Sequence, residues 1–322
     1  MHTQPTTDTA ILLATCNGAD HLADQLDSLH AQTYRAFHVF ARDDGSKDNT
    51  VEHLQAYAAR TDFFLSLLPS DSASIGPCRS FGALLDYALK SNIPFQYFAF
   101  CDQDDRWFPH KLSTAIALLR EAEQTEPGQP ILVRSDLEVV DSQLRPIADS
   151  FWQRSRMDPH ETRLSRLVFR NTSLGCASVI NRRLAELAAP LPPQAVMHDW
   201  WVNLVAAAIG RILTVPTPLL QYRQHDANTV GSGDGSIRRL LHLRHWRTRI
   251  LGGGKRASLR PALQAQALYQ RFGSSMRATD SARLRYFQNI EHDTPMLRRL
   301  RVIQSRTLPR DPVRFLDTLM RL

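Results

Sequence analysis

No apolar run in this 322-residue sequence approaches the ~18 residues that a membrane-spanning helix needs. The best candidate, Val202 to Ile209, is short and ends beside Arg211. The first apolar stretch, Ala10 to Ala14, has no basic region ahead of it and is too short for a secretory signal. Cysteine is scarce: Cys16, Cys78, Cys101 and Cys176 lie far apart, with no CxxC spacing. Their spacing argues against a disulfide framework or a zinc site and predicts reduced thiols in a cytoplasmic protein. There is no GxSxG elbow and no HExxH pair. Gly252-Gly253-Gly254-Lys255 falls short of a phosphate-binding loop, because position 249 is arginine and position 256 is neither Ser nor Thr. No stretch interleaves aromatic and basic residues as an RNA-recognition sheet does.

What is present is ordinary globular composition, 43% hydrophobic and 22% charged, which excludes disorder and fibrous architectures. The net charge of +7 conceals a division. Residues 233–322 hold 19 Lys/Arg against 6 Asp/Glu, whereas residues 1–232 hold 20 against 26. An acidic body with a basic tail predicts that the tail meets something anionic, either nucleic acid or a phospholipid surface. The plainer readings are a solvated helical face, or helices packed on the catalytic domain or on a second subunit of a homo-oligomer.

Strand-like and helix-like segments alternate through the first part. Ala10–Thr15, Phe37–Ala41, Phe63–Leu68 and Tyr97–Cys101 read as strands. Between them Leu22, Leu26 and Leu29, then Val51 and Leu54, then Phe81, Leu84, Leu85 and Ala88 recur at helical spacing. Pro109 suits the start of a helix carrying Leu112, Ile116 and Leu119. This rhythm predicts an α/β fold, a mostly parallel sheet with helices on both faces. Beyond residue 130, Ile131–Ser135, Ala177–Asn181 and Leu219–Arg223 read as strands and Met197–Ala208 as a helix. Gly231, Gly233 and Gly235 read as a joint before a basic helical C-terminal region, whose first helix shows Ile237, Leu240 and Leu241 beside Arg238 and Arg239.

In a parallel α/β sheet, ligands bind outside the carboxyl ends of the strands. Thr15/Asn17, Asp43/Asp44 and Asp102/Asp104/Asp105 fall at those ends. Carboxylates packed this densely repel one another unless cations or hydrogen-bond donors meet them. Asp102 and Asp104, two residues apart after an apolar strand, can face one hard divalent ion such as Mg²⁺ or Mn²⁺. The plainer reading makes them turn formers and helix caps ahead of Pro109.

At this point the residues carry a resemblance. Ile11 to Gly18, Asp43-Asp44-Gly45-Ser46 with Asp48 and Thr50, Phe100 to Trp107 with Pro109, Lys111 and Leu112, His198-Asp199-Trp200-Trp201, and Tyr222-Arg223-Gln224-His225 with Asn228 and Gly231 stand in order over residues 8–232. The chain resembles a family 2 glycosyltransferase with the Rossmann-like GT-A fold. More narrowly, it is similar to the bacterial rhamnosyltransferase-like enzymes of surface polysaccharide synthesis. The resemblance implies a catalytic domain over 1–232 and leaves the basic helical region 233–322 unmatched. It implies that Asp43 and Asp44 contact the base and ribose of a sugar nucleotide, that Thr15 and Asn17 line the same pocket, and that Arg79 lies near the base or phosphates. Many relatives follow that arginine with asparagine; here it is Ser80. Asp102-Gln103-Asp104 matches the DxD motif, with Asp104 the direct metal ligand, Asp102 beside it, and His225 completing the metal or diphosphate site. Lys111 becomes a phosphate or scaffold contact. Asp199 matches the base that deprotonates the acceptor hydroxyl, with Trp200 and Trp201 beside it as faces for sugar rings, one of the two indoles also reading as plain core.

The expected function is therefore inverting, divalent-cation-dependent transfer of a sugar, with L-rhamnose favoured, from a nucleotide diphosphate to a lipid-linked or oligosaccharide acceptor. The expected location is the cytoplasm, peripheral on the inner face of the cell membrane where the tail meets anionic lipid. Two other readings compete. A nucleotidyltransferase would want a glycine-rich basic loop after the first strand, which Thr15-Cys16-Asn17-Gly18 is not. A nucleic-acid-binding protein using the basic tail would leave the strand-end carboxylates without purpose, so nucleic acid is not expected as a partner.

Overall fold

The structure, a computed structural model, describes residues 7–60, 62–69, 73–224 and 255–322. In chain order it begins β1 (Thr9–Thr15), α1 (Ala19–His30), β2 (Phe37–Asp43), α2 (Thr50–Ala58), β3 (Leu65–Leu67), α3 (Pro77–Lys90) and β4 (Tyr97–Cys101). There follow β5 (Arg106–Trp107), α4 (Lys111–Thr125), β6 (Ile131–Val140), β7 (Pro146–Ala148), α5 (Phe151–Arg154) and α6 (Leu164–Leu167). Next come β8 (Ser178–Asn181), α7 (Arg182–Ala188), α8 (His198–Ile209) and β9 (Arg211–Arg223). The described chain closes with α9 (Lys255–Phe272), α10 (Ala278–Leu284), α11 (Pro295–Ser305) and α12 (Pro312–Arg321).

The strands form one sheet in the order β3-β2-β1-β4-β8-β6-β9-β5, with β7 paired to β6. The block β3-β2-β1-β4 is parallel, as the alternating rhythm predicts. Beyond β4 the pairing changes. β8 runs antiparallel to both β4 and β6, β6 and β9 are parallel, and β5 and β7 join antiparallel, so the whole sheet is mixed. Strand side chains alternate between faces, and both faces here are covered. Ala10, Leu12, Phe98 and Phe100 enter one core with α3, α7 and α8. Ile11, Leu13, Ala99 and Cys101 enter the other with α1 and α4. Burial on both sides explains why these strands read as continuous apolar runs.

The C-terminal helices do not stand apart. Leu259, Ala262 and Leu268 of α9, with Phe287 and Val302 beyond it, belong to the same core cluster as Leu164, Leu167 and Trp201. Phe287 lies 6.1 Å, centroid to centroid, from Phe169. The catalytic-domain boundary expected at 232–233, and the amphipathic segment with Ile237, Arg238, Arg239, Leu240 and Leu241, lie outside the described residues. Among the described residues, no helix is long and apolar enough to cross a membrane.

A shared core has a measurable consequence. Phe287→Ala should cost about 3–5 kcal/mol of stability, the usual range for emptying a buried aromatic site. Far-ultraviolet circular dichroism and tryptophan fluorescence should then report one coincident urea transition shifted downward. Two separated transitions would show that the C-terminal helices unfold independently of the sheet.

Candidate active site

Register brings the first site residues together. Thr15 pairs with Asp43 across β1 and β2, and Leu13 pairs with Cys101 across β1 and β4, so three strands end at one edge. Asp43 is consumed in shaping its own loop. It accepts from Thr15 Oγ1 at 2.9 Å, Gly45 N at 3.1 Å and Ser46 N at 2.8 Å. Asn17, with φ of 49°, accepts from Lys47 N at 2.8 Å and so ties the β1 loop to the β2 loop. With Asp44 N donating to Thr15 O at 2.8 Å, Thr15, Asn17, Asp43 and Asp44 lie together at this edge.

Asp44 is held by donors that sequence reasoning missed. Arg42 Nη1 donates to it at 2.7 Å, Ser74 Oγ at 2.6 Å, Ile75 N at 2.9 Å and Gly76 N at 2.8 Å. Burial pushes its carboxyl up, but the donors from Ile75, Ser74, Arg42 and Gly76 outweigh burial and hold it at about 2. Asp44 stays a carboxylate at any working pH. Arg42 also donates to Ser80 Oγ at 2.8 Å, so Ser80, in the place of the relatives' asparagine, braces the pair from α3. Arg79, one residue earlier, is exposed.

The middle residue of the DxD motif is a clamp. Cys16 N donates to Gln103 Oε1 at 2.7 Å, and Gln103 Nε2 donates to Cys16 O at 3.1 Å. The side-chain amide thus pairs with one residue of the β1 loop as a neighbouring strand would. Gly18 makes room for it, since a Cβ there would run into the Gln103 amide. Arg223, 3% exposed at the end of β9, braces the same loop from beneath. Its Nε donates to Asp104 O at 2.9 Å and its Nη2 to Asp24 on α1 at 2.8 Å, while its backbone N–H reaches Asp105 Oδ1 at 3.4 Å. The Tyr222-Arg223 motif was visible in the sequence, but its bracing role was not.

Asp102 and Asp104 are half-buried, whereas Asp105 is fully buried. Burial, then Asp104, then Asp199 raise the Asp102 carboxyl to about 7. Burial, then Asp104 and Asp102, push Asp105 well up. Asp102, Asp105 and Cys176 hold ligand atoms within 4.8 Å of one another. Burial pushes the Cys176 thiol up, so it offers a hard cation little. The metal pair expected from sequence was Asp102 and Asp104; the structure closes Asp105 and Cys176 beneath them and leaves that pair partly open. Crowded carboxylates of this kind are a donor set that suits a hard divalent cation.

Burial decides between the two readings of Lys111 and corrects that of Trp201. Lys111, expected as a phosphate or scaffold contact, is 1% exposed, which removes the phosphate contact. Its Nζ donates to Cys176 O and lies 3.4 Å from the centre of the Trp107 ring, and burial lowers its ammonium to about 8. It is scaffold. Trp201, expected at an acceptor, is 0% exposed, with its indole N–H given to Ala188 O at 2.9 Å. It is core, and only the half-buried Trp200 keeps a face toward solvent. His225 lies outside the described residues.

The antiparallel run of β8 delivers the remaining piece. Because β8 reverses direction beside β4, the 3₁₀ turn Gly175–Ala177 before it arrives at the same edge as Asp102. Gly175 N donates at 3.0 Å to Oδ2 of Asp199, in the first turn of α8, and Trp200 N donates at 2.6 Å to Oδ1. Burial raises the Asp199 carboxyl to about 6, with Trp200, Gly175 and Asn171 donors limiting the rise. His198 beside it stacks on Phe81 at 3.9 Å, and neither of its ring nitrogens has a hydrogen-bond partner. A Cβ on Gly175 would come within 2.5 Å of His198 Nε2, so the turn and the helix meet only through glycine.

Residues 10–179 match the sequence profile of Glycosyl transferase family 2. The chain is 22% identical over 227 residues to an uncharacterized glycosyltransferase of Rickettsia typhi, covering 69% of this chain and 66% of that protein. It is 24% identical over 228 residues to the dTDP-rhamnosyl transferase RfbG of Shigella flexneri, covering 68% and 74%. Among solved structures, S. aureus TarS 1-349 in complex with UDP-GlcNAc is similar with a TM-score of 0.55 at 16% identity, over 97% of this chain and 89% of that one. GalNAc-T7 with UDP, GalNAc and Mn²⁺ is similar at 0.50 and 12% identity, over 69% and 45%. At such identities the likeness is one of fold.

The buried histidine makes a stability prediction with a definite sign. Burial lowers His198 from an ordinary 6.5 to about 3. Between those values the unfolded chain binds a proton that the folded ring refuses, so this contribution is lost as pH falls from about 6.5 to about 3, at about 1.4 kcal/mol per pH unit. His198→Phe keeps the stacking and removes the titration. Between pH 7 and pH 5, urea unfolding of the wild type should lose about 2 kcal/mol relative to the variant. Asp102 and Asp199, raised in both proteins, cancel in that difference. Parallel pH curves for the two proteins would contradict a neutral buried imidazole.

Proposed function

The chain belongs to glycosyl transferase family 2 and has a GT-A fold, and from that premise we propose that it transfers a sugar, with inversion, from a nucleotide-diphosphate donor to a saccharide hydroxyl. The observation that supports this reading is geometric: the turn Gly175–Ala177, whose Gly175 N–H holds the Asp199 carboxylate at 3.0 Å, leads into β8 beside β4, and Asp102 follows the end of β4 at that same edge. Thr15, Asn17, Asp43 and Asp44 form the nucleoside wall. Arg79 stands exposed at the start of α3, where a diphosphate can reach it. Asp102 and Asp104 would hold a divalent cation, Mg²⁺ or Mn²⁺, together with His225. When bound, such a cation offsets the negative charge that develops on the departing diphosphate. The Mn²⁺ in GalNAc-T7 supports this.

Asp199 takes the proton from the acceptor hydroxyl as that oxygen bonds to the anomeric carbon and the diphosphate leaves from the opposite face. One displacement inverts the centre. The Gly175 and Trp200 N–H groups fix the carboxylate, while burial keeps it basic enough to accept a proton near neutrality. The similarity to RfbG supports dTDP-L-rhamnose as donor. The acceptor would be a lipid-linked or oligosaccharide chain of a bacterial surface polysaccharide, met at the inner face of the membrane.

Asp199→Asn should leave the donor KM unchanged and lower kcat by about 10²–10⁴, the usual worth of a positioned base. In the wild type, kcat should rise with pH through about 6 as Asp199 loses its proton, then level off; the variant should lack that limb. Near wild-type kcat in Asp199→Asn would remove it as the base. Asp104→Ala should abolish the Mn²⁺-dependent gain in affinity for a nucleoside diphosphate, measured by calorimetry, with the melting temperature of the free enzyme retained. Undiminished Mn²⁺ dependence would overturn the metal assignment.

A further inference from the structure

Eleven large apolar side chains are exposed among the described residues, and six of them crowd into the last two helices. Met296, at 82% exposure, Leu297, Leu300 and Ile303 lie along α11, and Leu316 and Met320 lie along α12. Spacings of four and three residues put Met296, Leu300 and Ile303 on one stripe of α11, and a spacing of four does the same for Leu316 and Met320. These helices are not loose appendages. Arg299 Nε donates to Leu319 O at 2.9 Å, which ties α11 to α12, and Arg166 Nη1 donates to Leu308 O at 3.2 Å, which ties their connection to the body. α12 packs on α9, and Gln264 of α9 accepts at 2.8 Å from Val196 N, three residues before Asp199.

Charge selects the occupant of this surface. Residues 295–321 contain seven arginines, two aspartates, no lysine and no glutamate, and α11 has no acid at all. A second copy would bring a net +5 against a net +5. A nucleic acid would satisfy the arginines and leave the apolar stripes in water. An anionic bilayer offers both an acyl layer for the stripes and headgroup charge for the arginines. We propose that α11 and α12 form a docking surface that lays the enzyme on an anionic phospholipid membrane, apolar stripes inward and arginines at the headgroups. This surface is distinct from the amphipathic segment after Gly235. It deepens the proposed action on a lipid-linked acceptor but stands independently of the chemistry, because its test needs no sugar.

The test is co-sedimentation of the full chain with vesicles. Vesicles of phosphatidylcholine with phosphatidylglycerol should carry the protein down, and phosphatidylcholine alone should not. Raising salt from 0.1 M to 1 M should release it as screening shortens. Leu300→Asp with Ile303→Asp, and separately Arg306→Glu with Arg310→Glu, should each cut the bound fraction at least about tenfold. All four positions are exposed, so melting temperatures should match wild type. Transfer to a soluble saccharide acceptor should stay unchanged in both variants, which separates failure of the docking surface from failure of the glycosyltransferase reading. Equal binding to neutral and anionic vesicles, or undiminished binding by both variants, would overturn the proposal. So would a wild-type dimer that the apolar variant converts to monomer without any vesicle binding.

Discussion

Negative charge collected at one edge of the sheet is the constraint around which this molecule is arranged. Parallel pairing of β1, β2 and β4 brings Asp43, Asp44, Asp102, Asp104 and Asp105 to that edge, where mutual repulsion and lost hydration both act against them. Each is answered differently. Asp43 is met by backbone N–H groups of its own turn, and Asp44 by the Arg42 guanidinium and the start of α3. The loop of Asp102, Asp104 and Asp105 is met differently among the described residues. The buried Lys111 ammonium is turned to a carbonyl and an aromatic face, and the Arg223 guanidinium reaches Asp104 O, Ser142 O and the Asp24 carboxylate.

A second constraint is direction. A wholly parallel sheet would set the start of β8 at the far edge, away from the carboxylates. The antiparallel insertion of β8 between β4 and β6 puts Gly175 and Cys176 under the DxD loop, and Gly175 in turn holds Asp199. The placement of Asp199 therefore depends on a strand reversal as much as on its own helix. Two glycines mark the tightest approaches in this arrangement, Gly18 against Gln103 and Gly175 against His198.

Much of the fold was legible in the sequence because burial on both faces writes long apolar runs and helical stripes. The parallel block and helices α1, α3, α4 and α8 all appear where periodicity placed them. The two-residue β5 and three-residue β7 are too short to carry a period, and β3 covers only Leu65–Leu67 of the expected Phe63–Leu68. The expected strand Leu219–Arg223 begins eight residues earlier, at Arg211. At the site, the strand-end aspartates could be found because spacing and order identify them. Lys111 and Trp201 could not be judged, because a one-dimensional pattern does not tell a charged or aromatic side chain at a site from one buried below it. Arg42, Gln103 and Arg223 act on partners brought close only by folding, so no local signal gives their bracing roles, although Gln103 and Arg223 stand in visible motifs.

The shared core also bears on synthesis. The helix faces that carry Leu164 and Leu167 of α6 and Trp201 of α8 are completed by side chains from α9 and from Phe287 and Val302. During translation, at roughly 5–20 residues per second, the earlier strands and helices leave the ribosome with those faces still bare. They stay bare for the seconds needed to make the residues that cover them. An exposed apolar face is what nascent-chain chaperones bind and what aggregates recruit. The yield of native enzyme should therefore be sensitive to stalling or premature termination in the stretch that encodes α9 through Val302, although every residue of the candidate active site within the described chain has by then been made.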